Sequence, residues 1–336
     1  MFDFVGRRNW YYLLSFLVLL PGIISLVIPP SLKPGIDFTG GTTFTVRFAQ
    51  DVEQEEMRSA LSDLDHPEAI VQRTGENRFL VRTRELEGTA RAPEVGPAPP
   101  SERDEIEAGL QQRFGDFLDN DGNVSNRFIE FALVSGTVSQ EIGRNAGIAV
   151  IAASVGILLY ISWAFRSVPK PFLFGGAAIV ALLHDSLLVV GVFSIFGKVF
   201  GTEINTMFLT GLLTVIGFSV HDTIVVFDRI RENLGRVEGV DFAECVNSSL
   251  HQTLARSLNT SITVVMVLLA VLLMGGVTIR DFLLVLLIGV ITGTYSSIFV
   301  ASQLLVTWEE GDIQRLLRRL LPWRRRPAAV ELEVEG

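Results

Sequence analysis

Cysteine is all but missing: Cys245 stands alone, which excludes a disulfide framework and any cysteine-rich metal centre. Charge is scarce as well. Charged side chains make up 19% of the 336 residues and apolar ones 49%, against roughly 25% charged in soluble globular chains. With a mean hydropathy of +0.41, the chain is a poor match to an ordinary soluble enzyme. Positive charge is in deficit, with 28 Lys and Arg against 37 Asp and Glu and a net charge of −9. The whole deficit sits between Ser31 and Asn145, where 21 acidic residues face 12 basic ones. Such a surface repels phosphate, which argues against a nucleic-acid partner.

What the sequence does have is long apolar runs. A bilayer core about 30 Å thick needs roughly 20 apolar residues as a helix. Six segments qualify: Trp10–Ile28, Ala146–Phe165, Pro171–Phe196, Met207–Phe227, Ser257–Met274 and Phe282–Val306. Trp10, Tyr11 and Tyr12 form an interfacial anchor on the first. Only Pro29-Pro30-Ser31 follows it, with no small-x-small cleavage site, which predicts an uncleaved anchor. Arg7 and Arg8 precede span one, Arg166 and Lys170 separate spans two and three, and arginines cluster after spans four and six. Positive charge collects on the cytoplasmic side, so both termini are expected there and the region after span one outside. The chain thus divides into 1–30 (N-terminus and first span), 31–145 (an outside domain), 146–306 (spans two to six, with a cytoplasmic linker 228–256) and a basic tail 307–336.

The outside region reads as a small α+β domain. Thr42, Phe44, Val46 and Phe48 alternate with polar residues, the period of a half-buried strand. A helix over Glu53–Leu64 follows, then a hairpin of 69–72 and 78–83 around Gly75-Glu76-Asn77, a helix over Asp104–Phe114 and a strand over Phe128–Ser135. The order β-α-β-β-α-β predicts a ferredoxin-like sandwich, with 85–100 as a Pro/Ala-rich loop. At its entrance stands Gly35-Ile36-Asp37-Phe38-Thr39-Gly40-Gly41-Thr42. Glycines there permit positive φ, and Asp37 is suited to cap a bend. A phosphate loop is the sharper alternative, but no Gly-Lys-Ser/Thr follows and no helix is expected to begin there.

The residues that do not belong in lipid are the informative ones, since a mid-bilayer charge costs ~2.5–3.5 kcal/mol. Asp185 lies in span three and Asp222 in span four. Arg256, Asn259, Thr260 and Thr263 form one polar face at the start of span five. Gly289, Thr292, Gly293 and Ser296 make a small, hydroxylated face on span six. At 1.5 Å per residue, Asp222 lies roughly 8 Å inside the cytoplasmic edge and Asp185 about 20 Å, a difference on the order of 12 Å. Arg256 enters near that edge and can snorkel. Depth therefore favours an Asp222–Arg256 pair over a paired-carboxylate site. Burial raises a carboxyl pKa, a guanidinium lowers it, and arginine keeps its charge; moving one towards the other would switch a proton on and off. A static ion pair tying spans four and five together is the plainer alternative. His184-Asp185 and His221-Asp222 are poorly spaced for a metal, and the histidines are expected to hydrogen-bond across helices.

These residues also carry a resemblance. The entrance motif Gly35–Thr42, the stretch from Gly217-Phe218-Ser219-Val220-His221-Asp222 to Asn233, and Arg256-Ser257-Leu258-Asn259-Thr260-Ser261 resemble the SecD/SecF family of the bacterial Sec export machinery, and its SecF branch in particular. The resemblance implies an α-helical polytopic membrane protein with six transmembrane helices and one small extracytoplasmic domain between the first two. It implies an accessory role in the cytoplasmic membrane, in which the proton motive force completes preprotein translocation. The implied partners are SecD, the SecYEG channel, YajC, the preprotein and, indirectly, SecA. Protons are the coupling ion and no cofactor or metal is expected. It further implies that Asp222 and Arg256 serve proton movement; Asp185, as the other acid in the spans, is expected to take part in proton translocation as well.

Two other classes remain: an intramembrane aspartyl protease, which lacks its Gly-x-Gly-Asp signature here, and a half-size exporter of the resistance-nodulation-division type, which lacks large porter domains. On the cytoplasmic side, Asp241 and Glu244 suggest a capping box for a surface helix bearing Phe242, Val246, Leu250 and Leu254. Ile313, Leu316, Leu317, Leu320 and Trp323 interleaved with arginines suggest a basic interfacial helix.

Overall fold

A computed structural model describes residues 2–88, 101–168, 170–236, 241–274 and 279–311. The chain divides into two compact units, one of membrane-type helices and one built around residues 32–149 with 201–209. The proposed tail helix from Ile313 to Trp323, and the loop from residue 89 to 100, lie outside the described residues.

The first unit draws on helices long and apolar enough to cross a bilayer. They are α1 (Arg8–Val27), α5 (Gly136–Ala164), α6 (Pro171–Val199), α7 (Thr206–Arg236), α8 (Phe242–Met274) and α9 (Arg280–Ser296), which a π-turn (Ser297–Ala301) joins to α10 (Ser302–Glu309). All six expected spans are present, but α5, α7 and α8 run well beyond what hydropathy marked. α5 starts ten residues early because its first three turns are polar, and helix formation does not require oil. α7 runs on to Arg236, so Phe227 is not its end. The surface helix expected from Asp241 onward is instead the first third of α8, continuous with span five.

Packing explains the extended α7. Phe165 and Phe174 stack at 5.5 Å, and Phe227 meets them edge-on at 6.0 and 5.3 Å, a geometry favoured by the ring quadrupoles. A residue taken for an interfacial marker is thus a core one. α1 and α6 approach to backbone contact: a Cβ on Gly22 would lie 2.9 Å from the Gly191 Cα, and one on Gly191 2.8 Å from the Gly22 Cα. That proximity, which only small residues permit, lets Ser25 and Ser194 hydrogen-bond at 2.8 Å.

The second unit holds β1 (Gly41–Arg47), β2 (Ile70–Gly75), β3 (Arg78–Thr83) and β6 (Glu130–Val134) in one antiparallel sheet of order β2-β3-β1-β6. A two-stranded ribbon of β4 (Phe117–Leu118) and β5 (Val124–Ser125) continues from the end of β1 through a bridge between Phe48 and Phe117. With α3 (Gln54–Asp63) after β1 and α4 (Glu102–Phe114) after β3, the order and pairing are those of the ferredoxin-like sandwich. The alternation in β1 places Phe44, Val46 and Phe48 in the core with Met57, Leu61, Phe79, Val81, Ile106 and Leu110. The last strand begins two residues later than expected, because Phe128 turns in to stack on Phe44 at 4.2 Å. The β4–β5 ribbon was not foreseen; two-residue strands carry no periodic signal.

A polar knot of buried His66 and Thr83 with the exposed Glu68 ties β3 to the turn after α3. The Thr83 hydroxyl donates to Glu68 Oε1 at 2.7 Å and lies 3.0 Å from His66 Nδ1. Burial alone would raise the Glu68 carboxyl, yet the Thr83 hydroxyl, backbone N–H groups and His66 together bring it down to about 2. A carboxylate depressed in the folded state contributes stability above its ordinary pKa and loses it as pH falls through the depressed value. Pepsin cleavage of the full chain in detergent should therefore accelerate between about pH 4.5 and about pH 2, and less steeply in Glu68→Gln; equal slopes would remove the knot from acid stability. Gly41 has φ +120°, and a Cβ there would lie 2.7 Å from the Thr83 carbonyl oxygen. Gly41→Ala is expected to cost about 1–3 kcal/mol, read as faster hydrogen exchange across β1 and β3; unchanged protection would refute the strain.

Candidate functional site

Asp185 and Asp222 both face the interior of the helical unit, 1% and 3% exposed. Ser219 of α7 donates to Asp185 Oδ2 at 2.5 Å and Ser296 of α9 donates to the same oxygen at 2.6 Å. Oδ1 takes His184 Nδ1 at 3.0 Å. Asp222 Oδ2 accepts from the Thr294 hydroxyl at 3.2 Å, and Thr294 in turn meets Ser261 of α8 at 2.5 Å. Thr223 and Ser297 share a hydroxyl contact at 2.8 Å within the same layer. Four helices thus converge on two carboxyl groups through hydroxyls.

The helices can converge because α9 carries no side chain where it meets α7. A Cβ on Gly289 would fall 2.1 Å from Val215 Cγ2, and one on Gly293 3.1 Å from the Ser219 Cα. The π-turn begins at Ser297, immediately after the residues that serve the carboxylates. Its wider turn shifts the hydrogen-bond ladder at this point, a device common at functional sites.

The expected depth difference of about 12 Å is corrected. Asp185 touches Ser219, which precedes Asp222 by three residues, a rise of about 4.5 Å along α7. The error came from taking Phe227 as the membrane edge, whereas the helix continues to Arg236. The Asp222–Arg256 pair is also not made: among the described residues Arg256 forms no ion pair. It is exposed and borders a recess of about 460 Å³ with Val225, Asp228, Arg229, Glu232, Gln252 and Thr253. Asn259, Thr260 and Thr263 share its exposed face, and the two threonine hydroxyls bond back to their own helix, at Arg256 and Asn259 carbonyls. The spacing rightly put these residues on one stripe, but the buried stripe of α8 is Ser249, Thr253, Ser257 and Ser261. A four-residue repeat of small hydroxyl residues was the signal available for it, and Ser261 is the member that reaches the site. Ser219, Thr294 and Ser297 were likewise missed, each an ordinary residue until its helix neighbours are known.

His184 does not bond across helices as expected; it bonds its own neighbour, Asp185. His221 is exposed while Asp222 is buried, so the two His-Asp pairs do not converge. The entrance motif belongs to the other unit. Gly35 caps a one-turn helix, α2 (Ile36–Thr39), where none was expected, and Gly40 and Gly41 adopt positive φ. Asp37 caps no local bend: its Oδ2 accepts from both the backbone N–H and the hydroxyl of Thr206 at 2.6 Å. It thereby satisfies the start of α7 and meets the positive end of that helix. Gly35 N–H donates to the Ile204 carbonyl at 2.7 Å, which holds the motif against the segment leading into α7.

The chain is similar to known proteins over most of its length. Residues 116–311 match the family model for protein export membrane protein SecD/SecF, C-terminal, and residues 32–52 match the SecD/SecF GG motif. A protein translocase subunit SecF of Thermobaculum terrenum is 48% identical over 323 residues, 96% of this chain and 98% of that one. The SecDF of Thermus thermophilus is 34% identical over 308 residues, covering 92% of this chain but 38% of its own length. The crystal structure of SecDF from that organism, described as a translocon-associated membrane protein, superposes with a TM-score of 0.74 at 33% identity over 92% of this chain; this chain spans 39% of it. By its two matched motifs, its six helices and its near full-length likeness to SecF, the chain belongs to the SecD/SecF family as a multi-pass protein translocase subunit of the SecF type.

Proposed function

We propose that this translocase subunit works as an accessory to the Sec channel, and that with SecD it uses protons crossing the cytoplasmic membrane to drive late steps of preprotein translocation. One observation carries the reading: two buried carboxyl groups whose partners are hydroxyls and a single imidazole, with no fixed cation bonded to either among the described residues. A hydroxyl can donate to a carboxylate or accept from a carboxylic acid. Thr294 illustrates this. Its one hydrogen can go to Asp222 at 3.2 Å or to the Val290 carbonyl at 2.9 Å, so the site holds Asp222 charged or neutral without moving a helix. A static ion pair would not have that freedom.

Arg256, in its recess beside α7, supplies a permanent charge whose approach to Asp222 would favour proton release. Each proton falling through the membrane potential contributes about 2.3 kcal/mol per 100 mV. The basic flanks of the spans support cytoplasmic termini and an outward ferredoxin-like domain. Membership of the family supports the reading that the subunit contacts SecYEG, YajC and the preprotein, and SecA indirectly. The protease alternative loses its depth objection, since the carboxylates are about one turn apart along α7. They nevertheless bond to different hydroxyls and not to each other, and the family is one of transport, not hydrolysis. The subunit is accordingly read as a non-enzyme.

Preprotein translocation into inverted membrane vesicles, with and without an uncoupler, tests the proposal. Asp222→Asn and Asp185→Asn should remove the uncoupler-sensitive part and leave the ATP-driven part intact; full retention in both would overturn it. Arg256→Lys should also lower the proton-dependent part, because a lysine brought from its exposed position into the bundle beside Asp222 can shed its proton where arginine cannot. Native stimulation in that variant would remove the guanidinium from the cycle.

A further inference from the structure

The entrance motif touches neither acid, yet it grips the start of the helix that serves both. Pro34 and Ile204 pair as a parallel bridge. Ile204 N–H donates to the Lys33 carbonyl at 2.8 Å, and Gly35 N–H donates to the Ile204 carbonyl at 2.7 Å. A Cβ on Gly35 would lie 3.0 Å from that carbonyl oxygen, so the approach suits glycine. Asp37 Oδ2 takes both Thr206 donors at 2.6 Å, and Arg82 forms an ion pair with Glu203. The first turn of α7 already has a local cap, since Asn205 Oδ1 accepts from the Phe208 N–H at 2.9 Å. Asp37 is a second cap, brought from far along the chain, and the helix does not need it merely to begin.

Two helices, α5 and α7, pass from the outside unit into the helical one, and of these α7 supplies the hydroxyl layer. Ser219 and Asp222 follow Thr206 by about 20 and 24 Å along one unbroken helix. We infer that Asp37 is a positioning residue for the proton site: by holding Thr206 it sets how far along its axis α7 sits, and so where Ser219 meets Asp185. A helix repeats about every 1.5 Å and 100°, so a slip of one residue turns Ser219 away from Asp185 Oδ2, which it now reaches at 2.5 Å. Gly289 and Gly293 set how near α9 lies to α7; the grip at Thr206 fixes the remaining freedom, along and about the axis. The glycines of the motif serve the same end. Gly35 admits the Ile204 carbonyl, and Gly40 and Gly41, at positive φ, turn the chain from α2 into β1 with Asp37 left facing Thr206.

Because this role rests on the reading that Asp185 exchanges protons, hydrogen bonding and proton use are measured separately. In the full-length chain in lipid vesicles, the carboxyl infrared band of Asp185, identified by its loss in Asp185→Asn, reports the hydrogen bonds it receives. Translocation into inverted membrane vesicles, with and without an uncoupler, reports proton use. Asp37→Ala should shift the band and lower uncoupler-sensitive translocation by about tenfold or more, with native hydrogen exchange across β1 and β3. Asp37→Asn keeps an oxygen for both Thr206 donors and should return the band to its native position. Thr206→Val removes one donor and leaves the motif intact; it should shift the band in the same direction by less, and it decides the matter if Asp37→Ala loses its sheet. A native band in a folded Asp37→Ala or Thr206→Val chain would overturn the positioning role and leave the proton reading standing. A shifted band with native uncoupler-sensitive translocation would instead remove Asp185 from the proton reading and leave Asp37 as the residue that positions its partner.

Discussion

A carboxyl group inside an apolar bundle must be satisfied in two charge states if it is to carry a proton, and fixed partners serve only one of them. A cation nearby would hold the acid ionised, and a hydrocarbon wall would hold it neutral. The layer around Asp185 and Asp222 is made of serine and threonine hydroxyls from α7, α8 and α9, which reverse their hydrogen-bond direction by rotating one bond. The arrangement is low in charge and high in adaptable polarity. That combination suits reversible protonation.

Bringing the hydroxyls together depends on close backbone approach. Gly289 and Gly293 let α9 lie directly on Val215 and Ser219 of α7, and Gly22 and Gly191 do the same for α1 and α6. In lipid there is little hydrophobic drive between helices, so small residues and interhelical hydrogen bonds supply the adhesion. Several of the bonds that tie α7, α8 and α9 together are therefore also the bonds that hold the acids. A π-turn at Ser297–Ala301 lies beside them.

Much of this could be read from residue order. Six apolar runs gave six helices, alternation at Phe44, Val46 and Phe48 gave the central strand, and the two acids declared themselves by standing in oil. What failed were inferences about ends and faces. Hydropathy marks where a helix is apolar, not where it stops, so α5 and α7 were cut short and the acids were set too far apart. Asn259, Thr260 and Thr263 share a stripe with Arg256, but a stripe does not reveal which neighbour it faces; here the serines one position over are the buried ones. Asp37 was seen as a capping residue, yet its partner Thr206 lies 169 residues away, a distance no local rule spans. The π-turn has neither proline nor glycine to announce it.

The carboxyl bands of the chain in lipid vesicles, recorded by infrared spectroscopy at equilibrium across the pH range, examine the two acids most directly. A band assigned to Asp222 by its absence in Asp222→Asn should pass between carboxylic acid and carboxylate, while the amide bands and the helix content stay constant. A carboxyl that keeps one state throughout, or that changes state only as the helices come apart, would mean that the hydroxyl layer is a structural clasp and not a reversible proton site.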